Sequence, residues 1–448
     1  MPQPSKTTTE PHSPSASGGP PNVAATPSLA LLILALGPFA LGYLLSYFFR
    51  SVNAVVAPDL VRDLGLTAPE LGFVTAAYLA AFATFQLPLG LLLDRYGPRR
   101  VQAALVTVGA AGALLFSLAD SVATLALARA MFGVAFSGGL MAGFQAVVIW
   151  VPAPRRALAN ACVMSLGGLG VLFATTPIEL ATQLFGWRIV FVGLAAFTAS
   201  VALLIYFVVP ERRSDKVPER LGTQIRQMGR IYSDRVFFAL APLMASTAGT
   251  HIALQTLWAG PWFRDVAGFD RLGSANALLA MAACFVVSIL LIGVIADRLA
   301  RRGVSLLTAM VGFMAIFLAS QVGLLFNPTD PMIALALWCL FGMTGHVAVL
   351  GYPWLVNHFG TSLSGRSNTA TNLMMFSFAF LAQYGVGAVI GLFPALPNGQ
   401  YDPESYRVAF GVFFAIQLLA LVWYFANLRR IRAVETARPA RPESGSPR

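Results

Sequence analysis

Apolar residues come in long runs separated by short polar punctuation. No charged residue stands between Leu71 and Leu93, and comparable stretches recur along the whole chain. A membrane-crossing helix needs about 20 mostly apolar residues, because the hydrocarbon layer is roughly 30 Å thick and a helix rises about 1.5 Å per residue. Twelve segments meet that requirement, at about 30–57, 71–93, 99–119, 122–148, 157–181, 187–209, 236–258, 272–296, 304–326, 331–355, 367–393 and 407–428. In lipid every backbone amide must be satisfied within its own segment, so these runs predict helices. The weak ten-residue alternation of a membrane barrel is nowhere evident. The pattern predicts an all-α membrane protein.

Composition agrees. The 448 residues are 57% hydrophobic and 11% charged, too little polar content to cover a soluble core. The sequence divides into a disordered tail over 1–28, rich in Pro, Ser, Thr and Gly, a first bundle over 29–210, a polar linker over 211–235, a second bundle over 236–428 and a basic tail over 429–448. The start lacks a basic-then-apolar segment with a small-residue cleavage site, so no cleaved signal peptide is expected. In the linker Leu221, Ile225, Met228 and Tyr232 recur at helical spacing among arginines, which suits an amphipathic helix on the membrane surface. The three cysteines, Cys162, Cys284 and Cys339, lie scattered in apolar runs, which argues against a disulfide framework or a zinc site.

The net charge of +11 would raise nucleic acid as a partner in a soluble protein. Here the basic residues sit between the apolar runs. All of the 30 except Arg50, Arg62, Arg129, Arg188, Arg264, Arg271 and Arg407 fall on one side when the runs are threaded alternately. Positive residues mark the cytoplasmic face, so both termini are expected inside a cell membrane, with the charge an attraction to anionic lipid.

The stretch "GLLLDRYGPRR" begins at Gly90 and "GVIADRLARRG" begins at Gly293. Each follows the second span of its half. A charged turn repeated at equivalent places implies two six-helix halves that are structural copies. Gly90 would let its helix approach a neighbour, and Asp94 at a helix C-terminus needs a partner to offset the dipole. Gly90, Asp94, Arg95, Gly97, Arg99 and Arg100 closely match the signature of the major facilitator superfamily, which the chain resembles over 30–428. Gly293, Asp297, Arg298, Arg301 and Arg302 match it more loosely, with Ala300 in place of the glycine. The resemblance implies twelve transmembrane helices in two pseudo-symmetric bundles, alternating access to a site at mid-membrane, gating by the repeated turns and work as a monomer.

Charge inside a bilayer is costly, so each instance is a candidate. Arg50 lies roughly two turns below the outer surface by its distance from Asp59. It shares a helical face with Tyr43, Ser46, Tyr47 and Asn53, and an arginine there offers bidentate donors to a carboxylate or phosphate. Helix-1 arginines in several anion-transporting branches of the superfamily are similar. Arg129 resembles the helix-4 arginine that the family associates with proton coupling; the alternative is a structural arginine bonded to backbone carbonyls. Glu179 is the one carboxylate well within a span, either a proton carrier or an acid paired with Arg188. Thr247, His251 and Gln255 form a polar stripe in span 7, Asn372, Phe376 and Gln383 one in span 11, and Tyr78 and Gln86 one in span 2. Together Arg50, Tyr47, Tyr78, Gln86, His251, Gln255, Asn372 and Gln383 would line a site for a small organic ligand.

These readings favour secondary transport of a small organic or inorganic anion, driven by protons. Export of drugs or metabolites is the alternative: Gly167, Gly168 and Gly170 in span 5 resemble the antiporters' glycine-rich motif, but the proline follows Thr176 with no Gly-Gly after it. Copper transport would use Met310, Met314, Met343 and His346. An enzyme would need a cluster of catalytic groups, and no such cluster, histidine box or phosphate loop is found. No cofactor or resident metal is expected.

Overall fold

The computed structural model describes residues 29–210, 221–360, 363–397 and 399–436. The expected tail over 1–28, the first part of the linker and the last twelve residues of the basic tail lie outside the described residues. Among the described residues ten helices are long and apolar enough to cross a membrane. One of them, Ala68–Ser117, is broken at Gly97, where φ is 77°, and so holds two spans. A pair bent by 45°, Leu158–Phe173 with Thr176–Phe185, supplies the twelfth.

In order, span 1 is Leu29–Ser51 continued by Asn53–Leu64, span 2 is 68–96, span 3 is 98–117, span 4 is Val122–Trp150, span 5 is the bent pair and span 6 is Trp187–Val208. Span 7 is Arg235–Asp265, span 8 is Arg271–Arg301, span 9 is Leu306–Leu325, span 10 is Pro331–Phe359, span 11 is Ser364–Ile390 and span 12 is Pro403–Ala426. Spans 1, 7 and 8 outrun their expected ends, because polar residues in the added turns hide the helix from a hydropathy reading. The scarce acids mark beginnings. Asp234, Asp270, Asp330 and Asp402 each cap a span by accepting first-turn amide protons, and Thr67 with Glu70 forms a reciprocal capping box for span 2.

In lipid, close packing rather than expulsion from water holds helices together. One continuous core crosses both halves, joining Val52 and Leu60 of span 1 to Leu257, Trp258 and Trp262 of span 7. Towards the arginine turns it divides. Met244, Met310, Met314 and Trp354 pack within the second half, and Ala40, Tyr43, Val147 and Val163 within the first. The molecule is therefore sealed at one end and joined more loosely at the end bearing the arginine turns, called the basic end below, where span 2 still meets the second half through Leu87 and Gly90.

The linker helix, Leu221–Tyr232, docks on the second half. Met228 and Ile231 are buried there while Ile225 is 56% exposed. The Tyr232 hydroxyl donates to the Ala370 carbonyl at 3.0 Å. The buried strip is Gln224, Met228 and Ile231, one position round from the expected one, because the helix packs against the foot of span 11.

Candidate functional site

Span 1 is interrupted at Val52, and Arg50 lies just before the break. The helix runs on to Leu64, about 21 Å further at roughly 1.5 Å per residue, so Arg50 sits much deeper than two turns. The added helix corrects the expected depth. The guanidinium lies 4.3 Å above the Tyr47 ring, 5.8 Å from Phe82 and 5.6 Å from Phe376. Phe376 belongs to the second half, so Arg50 stands at the seam. Its Nε is buried without a hydrogen-bond partner, and no carboxylate among the described residues pairs with it. Such a charge has strong unused capacity for an anion.

Aromatic rings surround this charge from both sides of the seam. Phe82 and Phe376 meet across it with centroids 4.2 Å apart. Tyr47 packs against Phe285 of span 8 at 6.4 Å, and Phe285 meets the half-buried His346 edge-on at 5.5 Å. Span 5 makes room for this arrangement with glycine. A Cβ at Gly167 would come within 2.5 Å of Tyr43 and 3.1 Å of Tyr47, one at Gly170 within 2.1 Å of the Leu44 carbonyl, and one at Gly168 within 2.9 Å of Val286 across the seam. These glycines allow span 5 to pack against spans 1 and 8.

The expected polar lining disperses. Tyr47 joins Arg50. Asn372 is close: it accepts the Tyr352 hydroxyl, which also lies 3.1 Å from Met375 Sδ. Tyr78 donates to the Ser46 carbonyl at 3.2 Å, and Gln86 to the Ser137 carbonyl at 3.2 Å, both inside the first half. Ser46 and Asn53 also bond within that half, to the Phe136 carbonyl and the Thr75 hydroxyl. His251 lies one ring behind, among Phe285, Phe317 and Phe341, with its Nε2 buried and unpartnered. Gln255 sits in a wide turn of span 7, and Gln383 accepts from Thr256 at 3.3 Å and from Trp258 through its backbone carbonyl at 3.1 Å. Those two glutamines belong to the second half's packing beside the sealed end and are not gathered around Arg50, because spans 7 and 11 carry them beyond the seam cluster. Met310 and Met314 are fully buried in span 9, and Met314 Sδ accepts the Thr247 hydroxyl at 3.5 Å.

Arg129 is buried and donates to the Phe49 carbonyl at 2.6 Å, with Tyr78 5.2 Å away. Phe49 precedes Arg50, so span 4 holds span 1 beside the break. A side chain that takes a backbone carbonyl out of the helical ladder is a recognised cause of such an interruption.

The sealed end carries a second arginine at the seam. Arg271, which begins span 8, donates to Asp59 of span 1 at 2.8 and 2.5 Å and to Glu179 of span 5 at 2.5 Å. Its side chain is 34% exposed, while those of Asp59 and Glu179 are 5% and 2% exposed. Arg62 reaches Asp59 at 3.0 Å, and Gln183 donates to Glu179 at 2.8 Å. Glu179 thus pairs across the halves and not with Arg188, which donates to the Ser117 and Ala119 carbonyls. Thr176 donates to Asn276 nearby at 2.8 Å, another bond across the seam.

The two arginine turns differ. In the first, Asp94, Arg95, Gly97, Arg99 and Arg100 line a cavity of about 240 Å³ with Phe39 and Trp150. Arg99 donates to the Tyr206 carbonyl at 2.8 Å, and Arg95 lies over Tyr96 at 5.3 Å. A Cβ at Gly90 would meet only the Arg366 guanidinium, at 3.7 Å, and one at Gly293 nothing within 4 Å. Neither glycine is demanded by close helix approach in this state. In the second turn Asp297 pairs with Arg301 of its own helix at 2.8 Å, both well exposed, beside exposed Arg298. That helix continues through Ala300 to Arg301, and the turn falls at Gly303, where φ is 83°.

The residues that a search for polar side chains passes over are Phe82, Phe285 and Tyr352. Aromatics in apolar helices read as packing; Phe82, one turn from Tyr78, could have been signalled by its register, whereas Phe285 on span 8 and Tyr352 on span 10 carry no such signal. Comparison with known proteins agrees with this architecture. The profile of the Major Facilitator Superfamily matches residues 39–383. A probable sulfoacetate transporter of Cupriavidus necator is 26% identical over 303 residues, 64% of this chain and 70% of the relative. The hexuronate transporter of Escherichia coli K12 is 26% identical over 421 residues, 89% of this chain and 94% of the relative. A crystal structure of a bacterial homologue of the human lysosomal transporter Spinster, inward-facing and occupied, is similar at a TM-score of 0.73 and 17% identity over 91% of this chain and 98% of that one.

Proposed function

We propose that the chain, which belongs to the Major Facilitator Superfamily and is an integral multi-pass membrane transporter rather than an enzyme, takes up a small organic anion with protons by alternating access. The observation that carries this reading is Arg50: a charge at the seam, open on its Nε and matched by no carboxylate among the described residues. An anion bound there would lie between Tyr47 and Phe82 of the first half and Phe376 of the second. It would draw the halves together, and the seal could then pass from one end to the other. Relatives named for sulfoacetate and hexuronate are anion transporters, which supports the same solute class.

In this reading the basic end faces the cytoplasm, both termini are inside, and the two bundles at 29–210 and 236–428 rock as units around Arg50. Anion entry against a negative interior needs an accompanying cation. Glu179 is the proposed proton carrier. When the sealed end opens, Arg271 leaves with the second half and Glu179 keeps only Gln183, so a proton replaces the lost charge partner. Arg129 acts on this through the carbonyl beside Arg50. Export is the weaker reading, since the span 5 glycines are accounted for by packing against Tyr43, Tyr47, Leu44 and Val286. The test is anion uptake into proteoliposomes with an imposed proton gradient. Gradient-stimulated uptake that is lost in Arg50→Lys and becomes insensitive to the gradient in Glu179→Gln is the expected result. Uptake in Arg50→Lys equal to that of the unaltered protein would remove Arg50 from the site.

A further inference from the structure

We infer that the solute is an aromatic monocarboxylate, held by its carboxylate on Arg50 and by its ring among the phenylalanines of the seam. This rests on the reading of Arg50 as the anion site and adds the chemical class of the rest of the ligand.

Charge comes first. Arg50 is the one arginine at the cluster. Arg129 lies behind span 1 on the Phe49 carbonyl, and Arg271 is committed to Asp59 and Glu179 at the sealed end. A dianion would leave its second charge without a partner. A zwitterion would need a carboxylate for its ammonium, and every acidic residue of the described segments lies near a span end or in a connection, away from Arg50. One negative charge therefore fits.

Polarity comes second. Apart from Arg50, the polar groups at the cluster are Tyr43, Tyr47, Tyr78, His346, Tyr352 and Asn372; Tyr43 is already engaged with Tyr47, and Tyr78 with Arg50 and the Ser46 carbonyl. Tyr352 and Asn372 already bond to each other, and Tyr352 also approaches Met375. The walls are Phe82, Phe285 and Phe376, contributed by both halves. A sugar acid brings several hydroxyls that would be buried with few partners, and each one left unpaired costs roughly tenfold or more in affinity. A flat apolar ring needs none. It can lie edge-on or offset against Phe376 and Phe285, as those rings already lie against Phe82 and His346.

The test uses the purified full-length protein, thermal shift for binding and counterflow in proteoliposomes for transport. The probes are phenylacetate, glucuronate and phthalate. Phenylacetate should raise the melting temperature, while glucuronate and phthalate at equal concentration leave it unchanged. Phe376→Leu, and independently Phe285→Leu, should weaken phenylacetate about tenfold with the protein still folded, and Arg50→Lys should abolish its effect. Stabilisation by glucuronate or phthalate that Arg50→Lys removes, without stabilisation by phenylacetate, overturns the aromatic assignment and leaves the Arg50 reading standing. Stabilisation by phenylacetate that survives Arg50→Lys overturns both. Indifference to phenylacetate overturns the inference whatever the other anions do.

Discussion

Arg50 and Arg271 both stand at the seam between the halves, and their surroundings are opposite. Arg271 at the sealed end is met by Asp59 and Glu179, two nearly buried carboxylates from the other half. Arg50, deep in span 1, is met by Tyr47, Tyr78, Phe82 and Phe376 and, among the described residues, by no carboxylate. A neutralised charge pair across a seam is a fastening. An unneutralised one in an aromatic frame is a receptor for whatever anion arrives. The difference teaches that an intramembrane arginine gains its role from the charges opposite it and not from its depth alone.

The comparison can be broken most severely at Arg50. Arg50→Ala should reduce transport about 100-fold or more, since it removes charged, two-point recognition. The melting temperature should hold, because no carboxylate is orphaned and Tyr78 keeps its bond to the Ser46 carbonyl; proteoliposome flux and a melting curve on the same preparation check this. At Arg271 the order of effects reverses. Arg271→Met leaves Asp59 and Glu179 facing each other, with only Arg62 and Gln183 in support. Breaking a buried pair costs about 3–5 kcal/mol, and the partial exposure of Arg271 reduces that to about 2 kcal/mol. Labelling of a cysteine placed at Thr176, in a background lacking the native cysteines, should accelerate about tenfold or more, while anion binding persists.

Gly167→Ala sharpens the comparison more gently. Its Cβ would push on Tyr43 and Tyr47, which form the floor under Arg50. Anion affinity should fall several-fold with the sealed end unaffected, as read by titration and by the same labelling rate. The smallest effect is expected at the second arginine turn. Asp297→Asn breaks an exposed pair within one helix, worth about 0.5 kcal/mol or less. Flux should stay within about twofold of the unaltered protein.

Much of the fold was legible because the lipid constraint writes itself into run length. Twelve apolar runs and a one-sided basic distribution need no contact information. Arg50 stood out for the same reason, as a charge where charge is costly. What the sequence left hidden was pairing. Glu179 lies near Arg188 along the chain, yet its partner is Arg271, brought over by the packing of the two halves. Arg271 itself reads as a loop residue because it opens a span. Phe82 and Phe285 read as packing, and only the assembled seam makes them neighbours of Arg50. Gln255 and Gln383 share helical faces with other polar residues, but a stripe along a helix crosses the whole membrane and so passes through more than one environment.

The most direct measurement is anion counterflow in proteoliposomes with Arg50→Lys and Arg271→Lys side by side, because exchange needs no driving gradient and each variant keeps its positive charge. The account predicts that Arg50→Lys loses exchange, since a lysine cannot reproduce the planar two-point contact, while Arg271→Lys retains it. Exchange that survives in Arg50→Lys and fails in Arg271→Lys would contradict the assignment of receptor and fastening.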